Sequence, residues 1–131
     1  MSAQARTGPN GIAIYGRRMS VDLFAGIPVS DFETARAWYE RLWGAEPSFL
    51  PNDTEAVWEI AEHRAVFIEQ QPEHAGHARH TLFVDDLDAT VARIAERGLE
   101  PGRRETYGNG VRKVVYRDPD GNEIDFGGAP L

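Results

Sequence analysis

No cysteine occurs in the 131 residues, which excludes disulfide stapling, thiolate nucleophiles and Cys-ligated zinc together. Long apolar runs are missing as well. The longest are far too short to span a bilayer, and the N-terminus carries no signal-peptide h-region, so a cytoplasmic protein without a membrane partner is expected. Basic residues are few: 14 Lys and Arg stand against 21 Asp and Glu, a formal charge of −7, with no basic block to offset it. That balance excludes a general nucleic-acid binder. No Ser-His-Asp or Cys-His arrangement is suggested, and Gly108-Asn109-Gly110 reads as a hairpin turn rather than a phosphate loop, because no helix follows it. What remains is an ordinary globular composition, 41% hydrophobic and 27% charged. One domain of this length buries roughly two-thirds of its unfolded surface.

The most informative stretch lies near the end, Arg117-Asp118-Pro119-Asp120-Gly121-Asn122-Glu123-Ile124-Asp125-Phe126. Proline presets one corner, glycine supplies positive φ at the next, and the Asp and Asn side chains can bond nearby amides. Alternating apolar residues flank it, so it predicts two antiparallel strands joined by a tight hairpin, with Asp125 turned away from the apolar face of Ile124 and Phe126. Upstream, residues 1–18 are expected to form a loosely held extension, in which Ile12-Ala13-Ile14-Tyr15 is the one strand-like piece; the alternative is an edge strand on a partner subunit. Val21 to Val29 reads as a strand that Pro28 confines to an edge or ends. Ser30-Asp31-Phe32-Glu33 has the form of a capping box, and Phe32, Ala35, Tyr39 and Leu42 follow at helical spacing up to Gly44. Pro47 to Leu50 is a short strand and Pro51-Asn52-Asp53 a turn. Glu55–Ala61 and Arg64–Gln71 form a hairpin.

After a polar connection the pattern restarts. His80–Val84 is a strand, Asp85-Asp86-Leu87-Asp88 a second acidic helix start, and Leu87, Val91 and Ile94 line a helix ending at Gly98. Strands follow around 100–106, 111–117 and 122–126. Val29-Ser-Asp-Phe-Glu to Pro47 aligns, with one gap, on Val84-Asp-Asp-Leu-Asp to Pro101, Val84 lying 55 residues after Val29. The halves therefore read as duplicated βαβββ modules, about 19–72 and 78–128, within one domain over 19–128. This is an α+β fold with curved mixed sheets around a cavity and helices outside.

The duplicated unit, the Trp38-Tyr39-Glu40-Arg41-Leu42-Trp43-Gly44 segment, Phe83-Val84-Asp85-Asp86-Leu87-Asp88 and the closing Asp-Pro-Asp-Gly-Asn together resemble the vicinal oxygen chelate (VOC) superfamily, the glyoxalase/bleomycin resistance protein/dioxygenase group. The resemblance implies a divalent-metal site at four positions, which fall here on Phe24, Glu69, Arg79 and Asp125. Phenylalanine has no lone pair and arginine is cationic, so no metal and no other cofactor is expected. Two carboxylates beside a guanidinium suit an ion pair better than a dication. A slipped fifth strand would instead turn His80 inward and make a His-Glu-Asp site conceivable.

By strand parity the cavity set is Phe24, Gly26, Phe67, Glu69, Arg79, Thr81, Phe83, Lys113, Val115 and Asp125. Aromatic rings with a few placed polar groups suit a planar, partly polar ligand. Arg79 and Lys113 can take a carboxylate or enolate oxygen, or Arg79 can pair with Glu69 or Asp125 instead. Gly26 leaves room for close approach of a ligand, or marks a kink. Trp38, Trp43 and Trp58 read as packing residues. The expected function is metal-free binding of a drug-like or metabolite ligand by a homodimer. The alternative is a lyase, isomerase or dioxygenase-type enzyme with Glu69 or Asp125 as acid–base or residual metal ligand.

Overall fold

The computed structural model describes residues 21–131, together with the backbone of β1 (Arg6–Thr7) and β2 (Ala13–Ile14), which pair antiparallel. The expected loose extension over 1–18 otherwise lies outside the described residues. The body then runs β3 (Leu23–Val29), α1 (Phe32–Trp43), β4 (Phe49–Asn52), β5 (Glu55–Ala61) and β6 (Arg64–Gln70). The second half repeats it as β7 (Arg79–Phe83), α2 (Leu87–Glu96), β8 (Arg103–Thr106), β9 (Arg112–Arg117) and β10 (Glu123–Gly128). The strand orders are β3-β6-β5-β4 and β7-β10-β9-β8, each with one parallel pair, β3 with β6 and β7 with β10. The duplicated βαβββ reading holds. No helix among the described residues is long and apolar enough to cross a membrane.

Local chemistry sets the element ends, in two places differently from the sequence reading. The α1 cap is Asp31, whose carboxylate accepts from the Thr34 amide at 2.9 Å, so the capping box on Ser30 is displaced by one residue. Ser30 is drawn off by the second half, its amide donating to Asp120 Oδ2 at 3.0 Å. Asp86 caps α2 in the same way through the Ala89 amide. Gly44, at φ 74°, closes α1 in the left-handed conformation that glycine adopts without penalty. Pro51 and Asn52, expected as a turn, belong to β4. That strand is a sheet edge, where a missing amide costs no ladder bond, and the turn tightens onto Asp53-Thr54.

One core joins both halves: Ile27, Val29, Tyr39, Leu42, Trp58, Ile68, Leu87, Ile94, Tyr116, Ile124 and Phe126. Trp43 meets Phe126 edge-on at 6.2 Å, and Trp58 donates to the Ala45 carbonyl at 2.9 Å, so these tryptophans pack rather than line a ligand face. A polar knot accompanies the apolar seam. Tyr39 Oη donates to Asp118 Oδ2 at 2.8 Å. Fully buried Asn122 accepts from the Gly76 and Ala78 amides at 3.1 and 2.9 Å. It also donates to the Pro28 carbonyl and Asp118 Oδ2, both at 2.8 Å. The Asp-Pro-Asp-Gly-Asn turn thus anchors β3, the β7 entry and β10 together.

Candidate functional site

β10 lies between β7 and β9, and its alternation builds three rows on the face opposite Ile124 and Phe126. Glu123 stands between Arg79 and Arg117, Asp125 between Thr81 and Val115, and Gly127 between Phe83 and Lys113. β8 adds Arg103 beside Val115 and Glu105 beside Lys113.

Glu123 is nearly buried and bridges two arginines, with Oε2 3.1 Å from Arg79 Nε and Oε1 3.2 Å from Arg117 Nη2. Asp125 has no exposed surface. Its Oδ2 is 3.5 Å from the Thr81 hydroxyl and 3.6 Å from Lys113 Nζ, while Oδ1 has no partner among the described residues. Burial pushes the Asp125 carboxyl above the usual aspartate range. The neighbouring Glu123 adds to this against the pull of Lys113. Burial also pushes Glu123 upward, but the neighbouring Asp125 carboxyl and the charges of Arg79, Arg117 and Arg103 outweigh it and hold Glu123 below its ordinary value. The two carboxyls are therefore pushed apart, Glu123 giving up its proton at lower pH than Asp125. Lys113 also lies 3.6 Å from Glu105 and 5.8 Å above the Tyr107 ring.

In the first half, β6 takes the part of β10. Phe67 stands between Gly26 and Val57, and Glu69 between Pro28 and Glu55. The room that Gly26 leaves is taken by the Phe67 ring, since a Cβ there would lie 2.7 Å from Phe67 Cζ. Phe83 covers Gly127 in the same manner. A hollow of about 160 Å³ is lined by Gly26, Pro28, Phe67, Glu69 and Gln71, all of the first half. A larger cleft of about 430 Å³ follows the seam between β3 and β7, walled by Leu23, Ala25, Ile60, Leu82 and Val84 and reached by Thr81 and Phe83 of the second-half row; no carboxylate lines it.

The ten residues grouped by parity thus fall into two clusters. Phe24, Gly26, Phe67 and Glu69 share one sheet face; Arg79, Thr81, Phe83, Lys113, Val115 and Asp125 share the other. Among the described residues no hydrogen bond or ion pair links the clusters. The expected pairing of Arg79 with Glu69 or Asp125 is replaced by Glu123, because Glu123 is its direct cross-strand neighbour. Glu123, Arg117, Arg103 and Glu105 were missed, although the alternation that sends Asp125 to this face sends Glu123 there too.

The repeat also tests the family's metal positions. Aligning Val29 on Val84 matches Phe24 with Arg79 and Gly26 with Thr81. Phe67 lies beside Gly26 as Asp125 lies beside Thr81, so Phe67, not Glu69, is the counterpart of Asp125. Phe24, Phe67 and Arg79 offer no donor, and a single carboxylate is a poor ligand set. His80 does not compensate. It pairs in register with Ile124, on the core side, and its Nε2 donates to the Gly26 carbonyl at 3.0 Å. No group of three His, Asp or Glu able to hold an ion occurs among the described residues.

Two sheets of identical order, each backed by one helix and leaving one face for a ligand, define the paired-βαβββ class. The family model described as Glyoxalase/Bleomycin resistance protein/Dioxygenase superfamily matches residues 21–126, and the chain belongs to that superfamily. A glyoxalase/bleomycin resistance protein from Catenulispora acidiphila DSM 44928 is 58% identical, with a TM-score of 0.82 over 85% of this chain and 100% of that one. TnmS3, an antibiotic binding protein from Streptomyces sp. CB03234, is 26% identical with a TM-score of 0.67, covering 88% and 99% of the two chains. A bleomycin-binding protein complexed with bleomycin shares the fold at 21% identity and a TM-score of 0.66, covering 82% and 98%. No curated protein matches the sequence.

Proposed function

We propose that this chain captures a small organic molecule without a metal ion. The cavity forms where two copies pair as a homodimer, the Phe24/Phe67 face of one copy meeting the Arg79/Asp125 face of the other. The observation that carries the reading is the replacement of electron-pair donors by Phe24, Phe67 and Arg79 at positions where the superfamily places ligands. The dimer is supported by apolar surface left open in one copy: Phe24 is 49% and Phe83 65% exposed on the two faces. The solved antibiotic-binding relatives support the ligand class. Untagged protein would be analysed for metals, sized by analytical ultracentrifugation and screened by thermal shift against aromatic antibiotics and metabolites. Ligand-dependent stabilisation of a metal-free dimer is expected; a stoichiometric, EDTA-removable divalent ion would overturn the reading.

A second reading has one observation in its favour, the buried Asp125 with its raised carboxyl and unpartnered Oδ1. Covered itself, this group can relay a proton to a ligand through the exposed Thr81 hydroxyl, 3.5 Å from its Oδ2, while Arg79 or Lys113 steadies a developing oxyanion. Glu69 stands apart from it and takes no part. Turnover of a hemithioacetal or catechol that disappears in Asp125→Asn would establish this activity.

A further inference from the structure

We infer that the ligand is an aromatic anion whose charged group seats on Arg79 and Arg117, both held in place by Glu123. This rests on the ligand-binding reading above and adds the chemistry of what is bound. Arg79, Glu123 and Arg117 form one cross-strand row, and each guanidinium gives one N–H to the same carboxylate, at 3.1 and 3.2 Å. Two cations on one carboxylate leave a positive charge unmatched. The two arginine side chains are 65% and 52% exposed, and apart from a long 3.5 Å bond from Arg117 Nη1 to the Gly121 carbonyl their remaining donors have no partner among the described residues. A second anion completes the row as a four-membered ring of alternating charge, with the fork-to-fork geometry that guanidinium and carboxylate favour.

The surroundings point the same way. Arg103 and Lys113 join this face against Glu105 and Asp125, giving four cations to three carboxylates on a chain whose net charge is −7. A local positive field on a negative molecule draws anions to this spot and disfavours them elsewhere. A cationic ligand finds no equivalent, because Asp125 has no exposed surface and both oxygens of Glu123 are already engaged. The opposite face offers Phe24 and Phe67 for an apolar body, with Glu55 and Glu69 repelling an anion placed the wrong way round. The site therefore fixes orientation as well as class.

Titration calorimetry with 1-naphthoate and with its neutral isostere 1-naphthamide, at low ionic strength and neutral pH, tests this. Naphthoate should bind at least about tenfold tighter than the amide, and Arg79→Gln and Arg117→Gln should each reduce that ratio to about threefold or less with the amide affinity unchanged. Both arginines are exposed, so neither variant should lose its fold. Equal binding of acid and amide would overturn the anion assignment while leaving ligand capture standing. Binding of neither probe would also overturn the assignment, and the thermal-shift panel would then decide the broader reading. A ratio untouched by both substitutions would place the charge elsewhere and overturn it as well.

Discussion

Replacing Asn122 with alanine removes one of the polar links between the halves, its bond to the Pro28 carbonyl, together with the bonds that hold the β7 entry. The fully buried side chain makes four hydrogen bonds, from the Gly76 and Ala78 amides and to the Pro28 carbonyl and Asp118 Oδ2, all between 2.8 and 3.1 Å. Asp118 keeps Tyr39 and two turn amides, so its loss is partial. The two amides and the Pro28 carbonyl lose the partner that the side chain supplied. A buried polar group left unpaired costs about 1–3 kcal/mol, and water entering the gap recovers some of it, which puts the total near 3–5 kcal/mol. With a urea m-value of about 1.5 kcal/mol/M, the midpoint should fall by about 2–3 M. Urea melts followed by tryptophan fluorescence at fixed protein concentration measure it, the concentration being held because the stability of the proposed dimer would depend on it. Asn122→Asp sharpens the test. It keeps the acceptor for both amides but sets a carboxylate against Asp118 and the Pro28 carbonyl, so its deficit should shrink as the pH falls. A loss below about 1 kcal/mol for Asn122→Ala, with m unchanged, would refute the view that this residue ties the halves together.

Other expectations follow from the same contacts. The Asp125 carboxyl is raised, so its protonation stabilises the fold in acid and that contribution is lost as pH climbs from the ordinary aspartate value, about 3.9, through the raised one. Glu123 runs oppositely: being held low, it stabilises above the ordinary glutamate value, about 4.3, and loses this as pH falls through its folded value. Asp125→Asn, neutral throughout, should gain stability over the parent as pH rises toward neutrality; a pH-independent difference would contradict this. Gly26→Ala should push the Phe67 ring off its seat, costing about 1–2 kcal/mol by denaturant melt and changing ligand affinity. Mixing equal amounts of a Phe67→Ala chain and an Arg79→Gln chain should restore one intact site in each mixed dimer, and since random pairing makes about half the dimers mixed, calorimetry should read about a quarter of the parent's sites. Recovery of no sites would place the two faces in one subunit.

Much of this was legible in the residues. Strand alternation placed Asp125 opposite Ile124 and Phe126, and the helix spacing of Phe32, Ala35, Tyr39 and Leu42 gave the buried stripe. The repeat offset gave the common sheet order. The missed pieces depend on pairing between strands, which parity within one strand does not encode. Parity turns Arg79 and Glu69 away from the core side of their strands, but only register shows that Arg79 meets Glu123 and that Glu69 lies beside Pro28. The capping box failed for a similar reason. Ser30 had a better partner in Asp120, 90 residues away, and the cap passed to Asp31.

The two halves share a backbone plan yet have diverged at matching positions in opposite chemical senses. Phe24 opposite Ala65 corresponds to Arg79 opposite Glu123, and Gly26 opposite Phe67 corresponds to Thr81 opposite Asp125. One face has become aromatic where the other has become ionic. An aromatic face alone supplies area without orientation, and an ionic face alone binds small anions weakly in competition with water. Joined across the proposed dimer, they would divide the work, one half excluding water from a planar body and the other reading its charge. The duplicated fold accommodates this because its core, on the opposite side of both sheets, is indifferent to what the ligand faces carry.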